Sequence, residues 1–497
     1  MPALFLLLLL APHLHPAAVW PRSANVSPVS HAQDARVAND FPKGQIIDKV
    51  VCAQNAAQSY ALYLPSNYDP TRRWPILYAF DPGARGRIPV ERFKEAAERF
   101  GWIVAGSNNS RNAAIQSSID SWNAMTRDTA DRFSIDGGRV YAAGFSGGAR
   151  VAILFASQCH DCLAGVIACG AGFPEGIEPG TRTHFALFGA AGIEDFNFAE
   201  IKLLDEQLAR LNLPHQMATF AGRHEWPPSA LAVDAVAWME LIAMKSSLRQ
   251  RDPTLIEQLW NERLKQAREF ELAKKVYEAY QVYSYLGSSF KDLRQVGDVD
   301  GKLNELRNSP EVREAIRDEQ QQIKKQREIE GQIASLIANS SRVKSQDDNA
   351  GSSRSSQVND ENFDTSTRLH ALLVDLHRQS NAEADSASRR VARRVISGQY
   401  IGLFERGSNS LQNQKRYDDA VWFLTLATEI DPDRAGAFYY LAWAYSAKGD
   451  KKKSLKALQT AIEKGFSDAA ALAGNQAFDS LRDDPQYQKI VGALARP

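Results

Sequence analysis

In the stretch Arg139-Val140-Tyr141-Ala142-Ala143-Gly144-Phe145-Ser146-Gly147-Gly148-Ala149-Arg150, a β-branched and aromatic run meets Gly-x-Ser-x-Gly and passes directly into helix-forming residues 149–156. Strand, glycine-flanked serine and helix in that order predict a nucleophile elbow, a sharp turn that projects the Ser146 hydroxyl. Glycines suit such a turn because side chains there would collide with neighbouring backbone. The following helix aims its positive N-terminal end at the site, where it favours developing negative charge.

A serine hydroxyl is hardly ionised at neutral pH and needs a base. Residues 217–220 form an apolar run leading into Ala221-Gly222-Arg223-His224-Glu225-Trp226-Pro227-Pro228, which puts His224 in a loop between an expected strand and an expected helix. Other histidines fit less well: His160 lies between two cysteines, His184 enters a strand and His215 precedes one. The acid that orients the imidazole belongs between serine and histidine, after a strand. Phe185-Ala186-Leu187-Phe188-Gly189 is such a strand, and Glu194 and Asp195 follow it. Only one of two adjacent carboxylates can face the histidine. Asp195 is the expected one, with Glu194 left solvated or capping the next helix.

Strands expected at 60–64, 76–80, 102–105, 140–143, 165–169, 185–188 and 217–220 alternate with amphipathic stretches. Phe93, Ala96, Ala97 and Phe100 share one helical face; Leu203, Leu204, Leu208 and Leu211 mark another. This alternation predicts an α/β sheet domain over 45–246.

With Gly222-x-His224-x-Trp226-Pro227 and the opening strand Tyr60-x-Leu62-Tyr63-Leu64-Pro65, residues 60–244 resemble the α/β-hydrolase superfamily, and within it the secreted esterase and polyhydroxybutyrate-depolymerase-like branch. The resemblance implies an acyl-serine intermediate on a small or polymeric carboxylic ester, with Ser146 as nucleophile, His224 as base, Asp195 as orienting acid and neither metal nor organic cofactor. It also implies an oxyanion hole built from the amide after the nucleophile, that of Gly147, and one from the loop after an early strand. That loop reads Phe80-Asp81-Pro82-Gly83-Ala84-Arg85-Gly86, where many relatives carry a His-Gly-rich run. Pro82 has no amide hydrogen, leaving Gly83 and Ala84 as the candidates. Asn108, in Ser107-Asn108-Asn109-Ser110-Arg111-Asn112, is a candidate for lining the substrate site, the alternative being a polar surface turn. Trp122 and Trp226 are candidates for packing on an acyl group, the alternative being burial in the core.

At 497 residues the chain exceeds one core and implies two or three folded units. Its 59 basic and 59 acidic residues balance, so nothing draws it to nucleic acid or an anionic membrane. The apolar run at 4–11 is too short to span a bilayer but suits a secretory signal, and Ser30-His31-Ala32 suits a cleavage site. Residues 1–32 are therefore expected to be a signal peptide on an exported protein with no other membrane segment. No Lys or Arg precedes the run, which leaves an uncleaved anchor or a misplaced start as alternatives. Cys52, Cys159, Cys162 and Cys169 are free to pair in an oxidising compartment, and Cys159-His160-Asp161-Cys162 reads as a structural disulfide or buried thiols rather than a redox motif.

After residue 246 the texture changes to a charged, strand-poor stretch at 247–344, expected to be helical, and then to a Ser/Asp/Asn-rich stretch at 345–362, expected to be a flexible linker. In 363–497, residues of matching size recur at a separation of thirty-four: Phe404 and Phe438, Ser408 and Ala442, Leu411 and Tyr445, Leu424 and Leu458, Ala427 and Ala461. Asp431-Pro432 closes the first unit. Residues 407–494 resemble tetratricopeptide repeats, with two readable units and a degenerate capping helix near 478–491. That resemblance implies a concave surface for a protein partner, the alternative being packing against the enzyme. The function expected overall is serine ester hydrolysis beside an interaction module. The alternative is an exported adaptor on a degraded hydrolase platform.

Overall fold

A computed structural model of the protein describes residues 41–112, 115–180, 183–347 and 355–494, so the expected signal segment lies outside the described residues. The described residues form two compact units, divided between Gln321 and Gln322.

The first unit holds an eight-stranded sheet in the order β1-β2-β4-β3-β5-β6-β7-β8. Its strands are β1 Ile46–Cys52, β2 Asn55–Tyr63, β3 Trp74–Phe80, β4 Ile103–Ser107, β5 Ile135–Phe145, β6 Gly165–Cys169, β7 Ala186–Gly192 and β8 His215–Phe220. β2 runs antiparallel to β1 and β4, and the strands from β4 to β8 are mutually parallel. This is the α/β-hydrolase fold. Parallel strands need both faces covered, which is why β3, β4, β6 and β7 read as unbroken apolar runs and are buried throughout. Helices α1 (Arg87–Phe100) and α5 (Ser229–Lys245) share one hydrophobic core, through Phe93, Ala96, Val236 and Met239. Helices α2 (Ile115–Arg132), α3 (Gly147–Gln158) and α4 (Phe198–Arg210) share the other, through Trp122, Phe155 and Leu204. β1 had no counterpart among the expected strands. It is an edge strand whose exposed Asp48 and Lys49 break the alternation that marks a half-buried strand.

Helices α6 (Pro253–Leu272), α7 (Val276–Phe290) and α8 (Gly297–Arg307) belong to this first unit. Asp252 caps α6 by accepting a hydrogen bond from the Leu255 amide at 3.0 Å, and Pro253 stands at its first turn. Ile256, Leu259, Trp260, Tyr283 and Phe290 pack with Ala237, Leu241 and Met244 of α5 in one core. The compositional change at 247 is thus no boundary between compact units. The division falls inside α9 (Pro310–Asp347).

The described residues of the second unit are helical: α10 Ser355–Ser380, α11 Ala387–Gln412, α12 Tyr417–Ile430, α13 Ala435–Ala447, α14 Lys451–Glu463, α15 Ala469–Gly474 and α16 Pro485–Leu494. The stretch expected to be a linker, 345–362, is helical at both ends, since α9 runs to Asp347 and α10 starts at Ser355; residues 348–354 lie outside the described residues. Ser, Asp and Asn each cost a helix well under about 1 kcal/mol, and extending a helix already begun is far easier than starting one. Among the positions matched at thirty-four, Leu424, Leu458, Ala427 and Ala461 are fully buried. The single capping helix expected near 478–491 is instead a 3₁₀ turn at Gln476–Leu481 followed by α16. Pro485 supplies the break, because it disfavours helical geometry at the residue before it and suits a helix's first position.

Cys159, the cap of α3, forms a disulfide with Cys162, while Cys52 and Cys169 are free and buried. Burial pushes the Cys169 thiol up to about 12, so it stays protonated and unreactive at neutral pH. Among the described residues no helix is long and apolar enough to cross a membrane.

Candidate active site

Ser146 sits between the end of β5 and the start of α3 with φ 53° and ψ −122°, a conformation that L-residues rarely adopt. Its amide donates to the Cys169 carbonyl of β6 at 2.8 Å, which pins the turn to the sheet. The flanking glycines are dictated by backbone contact. A Cβ on Gly144 would lie 2.1 Å from the Gly148 carbonyl oxygen, and one on Gly148 would lie 2.0 Å from the Phe80 carbonyl oxygen.

The loop after β7 delivers the acid. Asp195 donates its amide to the Gly192 carbonyl at 3.0 Å, and the Phe198 amide closes back on the Asp195 carbonyl at 2.9 Å. Its side chain is fully buried, and Oδ1 accepts from the Asn197 amide at 2.8 Å and contacts His224 Nδ1 at 2.9 Å. Burial pushes the Asp195 carboxyl above the usual carboxylate range, and the hydrogen bond and charge of His224 oppose that shift. Glu194 turns the other way, with Arg223 Nε at 3.5 Å. The structure therefore brings Asp195, and not Glu194, to the imidazole.

His224 follows β8, as expected, and its ring is held between two aromatic rings: Phe145, 4.5 Å away between centroids, and Phe196, 4.1 Å away. Phe145 immediately precedes Ser146, so the imidazole lies against the elbow. No hydrogen bond joins Ser146 Oγ to His224 among the described residues. Such contacts are commonly long in unliganded enzymes and tighten in the substrate complex.

Gly147 opens α3, where the first amides of a helix have no intrahelical acceptor. The other two expected oxyanion donors are engaged elsewhere. Gly83 N–H donates to Asp81 Oδ1 at 2.9 Å, and Ala84 N–H closes a tight turn on the Asp81 carbonyl at 3.1 Å. The sequence Asp-Pro-Gly-Ala folds on itself, and neither amide is free in this structure.

The two residues expected to line the substrate site serve the scaffold. Trp226 is buried and donates its indole N–H to Asp81 Oδ2 at 3.0 Å, across 145 positions. Asn108 Nδ2 donates to the Asp48 carbonyl at 3.0 Å, tying its loop to β1. Trp122 lies in the core with its ring 5.0 Å from that of Phe155. The unanticipated organiser is Asp81, a buried carboxylate that also accepts from Arg85 Nε at 2.8 Å and so locks the loop after β3. Only its place directly after an expected strand could have flagged it.

No family model and no curated protein matches the chain. Among solved structures it is similar to a ferulic acid esterase, at 15% identity and TM-score 0.35, over 40% of this chain and 98% of that one. A fluorophosphonate-binding serine hydrolase F of Staphylococcus aureus is similar at 17% identity and TM-score 0.33, over 40% of this chain and 99% of that one. A Bacillus cereus carboxylesterase is similar at 16% identity and TM-score 0.32, over 38% and 96%.

Proposed function

We propose that the chain is a serine hydrolase that cleaves a carboxylic ester through an acyl-serine intermediate. Ser146 Oγ attacks the ester carbonyl carbon and passes its proton to His224 Nε2, and the carbonyl oxygen becomes an oxyanion. Collapse of that tetrahedral species expels the alcohol, which takes the proton back from His224. A water molecule activated by the same imidazole then releases the acid and regenerates Ser146. Asp195 holds the imidazole with its Nδ1 protonated and stabilises its cationic form. The reading rests above all on the His224–Asp195 contact of 2.9 Å beside a serine held at positive φ. We further propose that the chain is exported and that the thirty-four-residue period in its second unit marks tetratricopeptide-like repeats that bind a protein partner.

The engagement of the Gly83 and Ala84 amides by Asp81 favours a second reading, an adaptor whose hydrolase unit is a catalytically degraded platform. Chromogenic esters of graded acyl length, given to the full chain and to Ser146→Ala, separate the two. Turnover of at least one ester that falls by roughly 10⁶-fold in the variant supports the enzyme. Turnover equal in both proteins, or absent from both, contradicts it.

A further inference from the structure

If Ser146 is the nucleophile, its oxyanion needs a donor besides Gly147, and the two amides expected to supply it from the loop after β3, those of Gly83 and Ala84, are both engaged by Asp81. The loop after β4 lies beside it. Gly83 and Arg111 form an antiparallel bridge, and the Asn112 amide donates to the Pro82 carbonyl at 3.0 Å. This pairing carries the Asn112 side chain across to the elbow. A Cβ built on Gly147 would lie 1.8 Å from Asn112 Oδ1, 2.7 Å from Cγ and 3.1 Å from Nδ2, so the carboxamide occupies the space that a side chain at 147 would need. Asn112 is exposed, and its carboxamide makes no hydrogen bond among the described residues. An amide without a partner thus rests against the residue whose N–H opens α3. Rotation of about 180° about Cβ–Cγ exchanges its oxygen and nitrogen ends at little steric cost.

We propose that Asn112 is a catalytic residue whose Nδ2 donates the second hydrogen bond to the oxyanion, together with Gly147 N–H. This deepens the serine hydrolase reading and rests on it. As the Ser146 Oγ–carbon bond forms, the carbonyl π pair moves onto oxygen, the serine proton moves to His224, and Asn112 stabilises the new charge without changing covalently. The side chain replaces the backbone amide that the Asp81 turn withdraws.

The test uses the full chain with Asn112→Ala, Asn112→Asp and, as reference, Ser146→Ala. The expected result is a kcat about 10²–10³-fold lower in Asn112→Ala with KM changed less than about threefold, the size found for removing one oxyanion donor. Asn112→Asp, which keeps the shape but loses the donor, is expected to be no better than Asn112→Ala. A boronic acid that forms a tetrahedral adduct should lose affinity for both in parallel with kcat. The Tm should hold steady, because the carboxamide supports nothing else. Asn112→Ala turning over within threefold of the native chain, while Ser146→Ala is dead, overturns the role of Asn112 and leaves the nucleophile standing. A kcat loss accompanied by a matching fall in Tm, with boronate affinity unchanged, overturns it as well. Absence of Ser146-dependent turnover in the native chain removes both.

Discussion

His224→Ala is expected to lower kcat for ester hydrolysis by on the order of 10⁶-fold, about as much as losing Ser146, because the hydroxyl then has no proton acceptor. Asp195→Asn is expected to cost roughly 10⁴-fold and to leave the fold intact. The buried Oδ1 of Asp195 meets Nδ1 of His224, and an asparagine there can present an N–H to that nitrogen. The ring is then fixed in the tautomer with its proton on Nε2, where it would have to accept one from Ser146. Effects within such a unit do not add, so the double variant should be no slower than His224→Ala alone. Steady-state rates with one good ester, beside far-ultraviolet circular dichroism, check both expectations. An Asp195→Asn variant within tenfold of the native chain would mean that the acid is another residue.

The second large effect concerns stability. At the end of the sheet where β5 begins, Glu240 of α5 is fully buried and accepts from Trp102 Nε1 at 2.5 Å and from the guanidinium groups of Arg139 and Arg249. Two cations and an indole therefore depend on one carboxylate. Glu240→Ala leaves the buried Arg139 without its counter-charge and is expected to destabilise the first unit by about 3–5 kcal/mol. For a unit of this size that corresponds to a fall in Tm of roughly 6–20 °C, measured by calorimetry. Replacing Arg139 and Glu240 together by methionine should recover only part of the loss, since a well-packed apolar pair can equal a buried ion pair but the buried Trp102 indole and Arg249 still lack their acceptor. A single variant as stable as the native chain would show that the carboxylate contributes little.

Much of the first unit was legible because its rules are local. The elbow announces itself by glycines, a preceding strand and a following helix. Those glycines are fixed by contacts within a few residues of Ser146 or with the adjacent strand end at Phe80. The meeting of Asp195 with His224 was legible from chain order and from the strands before them. Long-range partners were not. Nothing around Trp226 says that its indole reaches Asp81, so an aromatic beside the histidine looked like a substrate platform. Nothing in Asp81-Pro82-Gly83-Ala84 says that the turn closes on its own carboxylate, so its amides looked available. The change of texture after residue 246 suggested a boundary, yet the sparse apolar residues there, Ile256, Leu259 and Trp260, are the ones that pack with α5. Composition averages over a helix, whereas packing depends on one face of it.

The claim that Ser146 is the nucleophile is tested most directly by a fluorophosphonate probe followed by peptide mapping. The account predicts one phosphonylated residue, Ser146, labelled in the native chain, far more slowly in His224→Ala and not at all in Ser146→Ala. Label found on another residue, or persisting unchanged in Ser146→Ala, would contradict it.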